Sequence, residues 1–97
     1  GTFPIVNLKF QLMKTFNDLE FNTHPWGNAI QAVLNIKPDT IVSVVAGEGM
    51  YSTSKDGNRA KCDNIEDAGS FEVMVGDDEP QGWLSREDIN KILAENF

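Results

Sequence analysis

The stretch NAIQAVLNIKPDTIVSVVA, residues 28–46, decides the fold. Two apolar runs flank Lys37-Pro38-Asp39-Thr40, a turn with proline where a type I turn favours it. In the first run Ile30, Ala32, Leu34 and Ile36 alternate with Gln31, Val33 and Asn35. Period two is the signature of a strand with two unlike faces. A helix competes for this first arm: Thr23 would cap it, Pro25 would sit in its first turn, and Trp26, Ile30 and Val33 would share a face. Gly27 and Asn28 fit such a helix badly, because glycine there costs up to about 1 kcal/mol relative to alanine. The second run, Ile41-Val42-Ser43-Val44-Val45, is rich in β-branched residues that suit strands. Residues 28–36 and 40–46 therefore read as a hairpin.

Working outward, residues 4–12 form a second alternating run. Val6, Leu8, Phe10 and Leu12 share one face, and Asn7, Lys9 and Gln11 the other. Residues 15–18 have turn chemistry, since Asn and Asp side chains bond their own backbone, and a short strand over 19–21 is expected after them. Beyond the hairpin, Gly47-Glu48-Gly49 reads as a tight bend or bulge, where glycine tolerates positive φ. It is no phosphate cradle: the glycine fingerprint and a following helix are missing, and Glu48 would repel phosphate. A short strand is expected over 50–53. Residues 54–69 are a polar loop of a length usually reserved for function or mobility. Phe71, Val73 and Val75 then alternate with Glu72 and Met74 as a further strand.

The C-terminus, residues 84–97, reads as a helix. Ser85 stands at the N-cap with Asp88 at the third helical position, a variant capping box, and Leu84 and Ile89 have the spacing of a hydrophobic staple. Ile89, Ile92, Leu93 and Phe97 trace one face. The expected architecture is α+β: an antiparallel sheet of five or six strands with one C-terminal helix packed on it. The 97 residues make one domain, 1–97, with residues 1–12 as an N-terminal strand extension.

Charge is distributed unevenly. Residues 1–61 carry a net +1, whereas residues 62–97 carry −8, within a total of −7. Such a field repels nucleic acid and anionic membrane and attracts basic partners or cations. Lys55, Arg59 and Lys61 cluster, but Asp56 and Asp63 interrupt them, so direct nucleic-acid binding is disfavoured. No apolar run approaches the ~20 residues that cross a bilayer. No signal peptide is recognised. The single cysteine, Cys62, fits a reducing compartment, and the localisation expected is cytoplasmic.

From Met13 onward, scattered residues carry a resemblance: Thr15-Phe16-Asn17-Asp18-Leu19, Phe21, His24-Pro25, Ser43-Val44-Val45-Ala46-Gly47, Gly49, Tyr51-Ser52-Thr53, Phe71-Glu72-Val73, Gly82-Trp83 and Ser85-Arg86-Glu87-Asp88-Ile89. In this outline the chain resembles a group of small phage, prophage and bacterial proteins of unknown function. The resemblance implies a mobile-element origin and no activity. Residues 1–12 fall outside it.

Candidate chemistry is sparse. A Cys–His nucleophile pair would need His24, the only histidine, beside Cys62 with a third group orienting it. Lys61 would lower the Cys62 pKa and Asp63 would oppose that. Asp63, Glu66 and Asp67 form one acidic knot and Asp77, Asp78 and Glu79 another. Neither has calcium-loop spacing, and one His with one Cys is a poor zinc set. No metal, cofactor or catalytic residue is therefore assigned. The aromatic residues are taken as core by default, with the proviso that one exposed ring among the acids would mark a hot spot.

The functional expectation is a small acidic binding protein, not an enzyme, that engages a protein partner with a basic surface, the two acidic knots being the binding residues. A narrower version is a DNA mimic that inhibits a host defence enzyme. The competing expectation is a small-molecule-binding domain or enzyme, with a pocket between sheet and helix lined by His24, Tyr51, Cys62 and Glu72.

The long N-terminal strand also suggests a homodimer through residues 4–12, since open strand edges pair with other chains and closed two-fold dimers are the commonest oligomers. Sedimentation of the full chain and of a version starting at Met13 tests this. A dimer that becomes a monomer on truncation is expected. A monomeric full chain, or a dimer that survives truncation, contradicts it.

Overall fold

The computed structural model describes residues 14–37 and 39–96. Among the described residues five antiparallel strands follow one another across the sheet in chain order: β1 (Asn22–Thr23), β2 (Ala29–Lys37), β3 (Thr40–Gly47), β4 (Phe71–Val75) and β5 (Gln81–Leu84). The same residues include one α-helix, α1 (Arg86–Asn96), after the last strand, and two single 3-10 turns, Phe16–Asp18 and Ile65–Asp67. This is the expected α+β arrangement. The strand over residues 4–12, and the dimer contact assigned to it, lie outside the described residues.

The expected β2–β3 hairpin forms, with Ile30 opposite Ala46, Ala32 opposite Val44 and Leu34 opposite Val42. These residues share one face with Phe71, Val73 and Val75 of β4, because Val42 pairs with Val75 and Val44 with Val73. Against that face pack Ile89 and Leu93 of α1, with Phe16, Cys62 and Ala68. Alternation thus works as the sequence suggests: one side of the sheet is the core.

Several local details differ from expectation. The short strand forms at Asn22–Thr23 and not at 19–21, because Leu19 and Phe21 pack inward against the core beneath the first 3-10 turn. The Phe16 N–H donates to Asn90 Oδ1 at 2.7 Å, which ties that turn to α1. Residues 50–53 form no strand. Their polar groups go instead to side chains and to single backbone bonds, such as Thr53 N–H to Ser70 Oγ at 2.9 Å, and Ser54 makes only an isolated bridge with Ala68. The polar loop 54–69 is densely bonded: Lys55 N–H donates to Asp67 O and Gly69 N–H to Thr53 O, both at 2.8 Å.

The bend after β3 is as expected. Gly47 has φ of +146°, and a Cβ there would lie 2.5 Å from the Asn28 carbonyl oxygen and from the Ala29 backbone. Only glycine allows β2 and the bend to approach so closely.

The helix start has both halves of the capping box. Asp88 N–H donates to Ser85 Oγ at 3.1 Å, and Ser85 N–H donates to Asp88 Oδ2 at 3.0 Å. Those bonds from Ser85, aided by Lys91, hold the Asp88 carboxyl below the usual aspartate range. A depressed pKa stabilises the fold above the ordinary carboxylate range, and that contribution is lost as pH falls through the folded-state value. In urea unfolding at neutral pH, Ser85→Ala should cost about 1 kcal/mol and Leu93→Ala about 2–5 kcal/mol. Asp88→Asn should flatten the acid limb of the stability curve relative to wild type. An unchanged acid limb would show that the Ser85–Asp88 cap does not form.

Candidate functional site

The other face of the sheet carries the odd-numbered residues of β2 and β3. Val33, Ser43 and Met74 stand in one row, and Gln31, Val45 and Glu72 in the next. Val33, Ile41 and Met74 are exposed there. The chain leaving β3 folds back over one end of this face, so that Ala29, Val45 and Met50 form a small second core. Tyr51 follows directly, and its ring lies against Trp83 with centroids 5.5 Å apart and planes inclined by 40°. Tyr51 is 50% exposed and Trp83 55%.

A bulge aims Trp83. Phe71 pairs with Leu84 and Val73 with Gln81, so Gly82 and Trp83 together oppose the single residue Glu72. Two residues against one is a β-bulge, a device that redirects a side chain at a sheet edge. Trp83 takes φ of +55°, a left-handed conformation that costs a non-glycine residue about 1–2 kcal/mol. Its N–H donates to the Tyr51 carbonyl at 2.8 Å. Tyr51 N–H in turn donates to Glu72 Oε1 at 2.9 Å, while Arg59 Nη2 donates to the Met50 carbonyl at 3.1 Å. Gly82 makes the close approach feasible, since a Cβ there would meet Tyr51 Cβ at 2.5 Å. The result is two tilted, half-exposed rings beside one carboxylate, all three fixed through the backbone.

The default assignment of tryptophan and tyrosine to the core is thus corrected: Trp26, Tyr51 and Trp83 are all exposed, and phenylalanines fill the interior, with Phe16, Phe21 and Phe71 in mutual ring contact. The bulge explains Trp83. Trp26, 83% exposed, stands in the β1–β2 turn with its ring edge-on to that of His24, and its backbone N–H donates to His24 Nδ1 at 3.1 Å. The strand Gln81–Leu84 was not expected from the sequence; once it is known, Gly82 is the signal that could have found Trp83, since a glycine inside a strand marks a bulge or a close backbone approach.

Of the four pocket candidates, Tyr51 and Glu72 adjoin each other, as described. Cys62 is buried in the main core and its N–H donates to the Asn28 carbonyl. His24 belongs to the β1–β2 turn. Burial, reinforced by Asp67 and Asp63, pushes the Cys62 thiol up, away from the thiolate that nucleophilic chemistry requires.

The acidic knots stand apart, one before β4 and one after it. Asp67 works internally: its Oδ2 accepts N–H groups of Asp63 at 3.0 Å and Asn64 at 3.3 Å, while Asp63 pairs with Lys61 at 3.7 Å. Asp77, Asp78 and Glu79 are exposed in the β4–β5 turn. Among the described residues, no three His, Cys, Asp or Glu side chains gather as a metal would need.

A groove of about 530 Å³ runs along the core side between the first 3-10 turn, β1 and residues 63–65. Phe16, Leu19, Phe21 and Ile30 give it an apolar wall, and Asn17, Asn22 and Asp63 a polar rim. None of the four pocket candidates lines it.

No protein family, curated protein or solved structure matches this chain. Among the described residues no helix is long and apolar enough to cross a membrane.

Two measurements check the site's chemistry. Trp83→Gly should unfold at a higher urea concentration than Trp83→Ala, by about 1 kcal/mol, because only glycine relieves the left-handed strain. Equal stability would mean that the strain is absent. Native protein at pH 8 should resist alkylation by iodoacetamide at Cys62 until urea unfolds it. Rapid native labelling would contradict the thiol's burial.

Proposed function

We propose that this chain is a binding protein with no chemical step of its own, and that it engages a protein with a basic surface through the outer face of its sheet. The observation that carries this reading is the Tyr51–Trp83 pair, held half-exposed by a strained bulge. Strain at a bulky residue persists only where the surroundings over-determine it, and such positions concentrate at functional sites. Exposed Trp and Tyr are the residues that dominate interface energies. Pre-ordered rings also lose little freedom on binding. The net charge of −7 supplies the steering, and Asp77, Asp78 and Glu79 are exposed in the β4–β5 turn. Opposite charge raises association rates most at low salt.

A second reading is favoured by one observation, the 530 Å³ groove with its apolar wall and polar rim, a size that suits small ligands. It predicts that a small-molecule screen followed by NMR shifts Phe21, Asn22 and Ile65 together. Shifts scattered over unrelated surfaces count against it.

Capture from source-cell extract at low and high salt tests the main reading. Wild type should retain a basic partner, with less retained at high salt, and Trp83→Gly should lose it while remaining folded. Capture that ignores both salt and Trp83→Gly contradicts the proposal. The DNA-mimic version requires more: the partner must act on nucleic acid, and duplex DNA must compete for it.

A further inference from the structure

We propose that the group received by the Tyr51–Trp83 pair is an arginine side chain of the partner. This rests on the binding reading above and names the chemistry of its anchor. The pair presents two adjoining rings inclined by 40°, on residues that are each about half exposed. Ring faces are negative at their centres and attract cations, more so as water is excluded.

Glu72 selects among anchors. Its Oε1 is committed to the Tyr51 N–H at 2.9 Å, and it stands opposite Gly82 and Trp83 in the bulge. Among the described residues Oε2 takes no hydrogen bond. An apolar or neutral aromatic anchor laid over the rings would offer the charged carboxylate no donor, and an acceptor shielded from water without a partner is costly. An anionic anchor would be repelled. A cation satisfies both the rings and the carboxylate.

Between the two cationic side chains, the geometry favours guanidinium. It is planar, less strongly hydrated than an ammonium group, stacks on aromatic faces and carries donors at its edge for a neighbouring carboxylate. The chain itself already uses this chemistry: Arg86 Cζ lies 5.2 Å from the ring centroids of both Phe16 and Phe71. On the outer face the Tyr51 and Trp83 rings stand beside the Glu72 carboxylate, while the Arg59 guanidinium is engaged with the Met50 carbonyl.

The test uses the full chain carrying Trp26→Phe, which leaves Trp83 as the only indole. Its fluorescence is followed on titration with capped Gly-Gly-X-Gly-Gly peptides, X being arginine, lysine or citrulline, the last a neutral isostere of arginine. The arginine peptide should bind about tenfold more tightly than the citrulline peptide, and lysine should fall between them. Glu72→Gln keeps an acceptor for the Tyr51 N–H and so keeps the rings in place, yet it should reduce the arginine preference several-fold.

Equal response to arginine and citrulline, or an arginine preference untouched by Glu72→Gln, overturns the assignment. Capture of the partner separates this failure from failure of the binding face. A partner lost with Trp83→Gly but retained with Glu72→Gln and in excess arginine peptide keeps the face and rejects arginine. A partner retained with Trp83→Gly rejects the face.

Discussion

Both polar backbone groups of Tyr51 are held by the sheet edge, and the arrangement of the outer face depends on that grip. The N–H goes to the Glu72 carboxylate and the carbonyl accepts from Trp83 N–H. Buried or half-buried backbone groups must find partners, and residues 50–53 make no regular ladder that would supply them. By satisfying them through β4 and β5, the chain fixes the path that covers Ala29, Val45 and Met50. The same two bonds set the bulge, since the Trp83 N–H turns to Tyr51.

That arrangement carries a local cost. A tryptophan in the left-handed region is strained where a glycine would not be. Gly82 beside it has no side chain, and any Cβ there would collide with Tyr51. The core face shows the opposite economy: Val42, Val44, Phe71 and Val73 alternate regularly and are fully buried. Local rules are thus obeyed where stability is made and broken where the two rings emerge. Breaks of this kind are expected at functional or strained positions.

Much of the fold was legible because its signals are local. Alternation over Ile30, Ala32, Leu34 and Ile36 gave β2, the β-branched run after Pro38 gave β3, and Ser85 with Asp88 gave the start of α1. The path of residues 50–53 was not legible, because the bond that orders it joins residues 21 positions apart, from Tyr51 N–H to Glu72. The exposure of Trp83 depends on a two-against-one register that no single strand encodes. The acidic knot at 63–67 looked like free surface charge, although Asn64 and Asp67 carry capping-box spacing and Asp67 is spent on its own backbone turn. Cys62 stood among the pocket candidates because sequence does not reveal burial.

The central claim is that the Tyr51 and Trp83 rings form one fixed, solvent-facing unit in the intact chain. NMR of the full protein with a soluble paramagnetic probe tests it most directly. Cross-relaxation between the Tyr51 ring and the Trp83 indole is expected, with strong probe broadening of both and little broadening of Phe16 or Phe71. Rings that show no mutual contact, or that the probe does not reach, would contradict it.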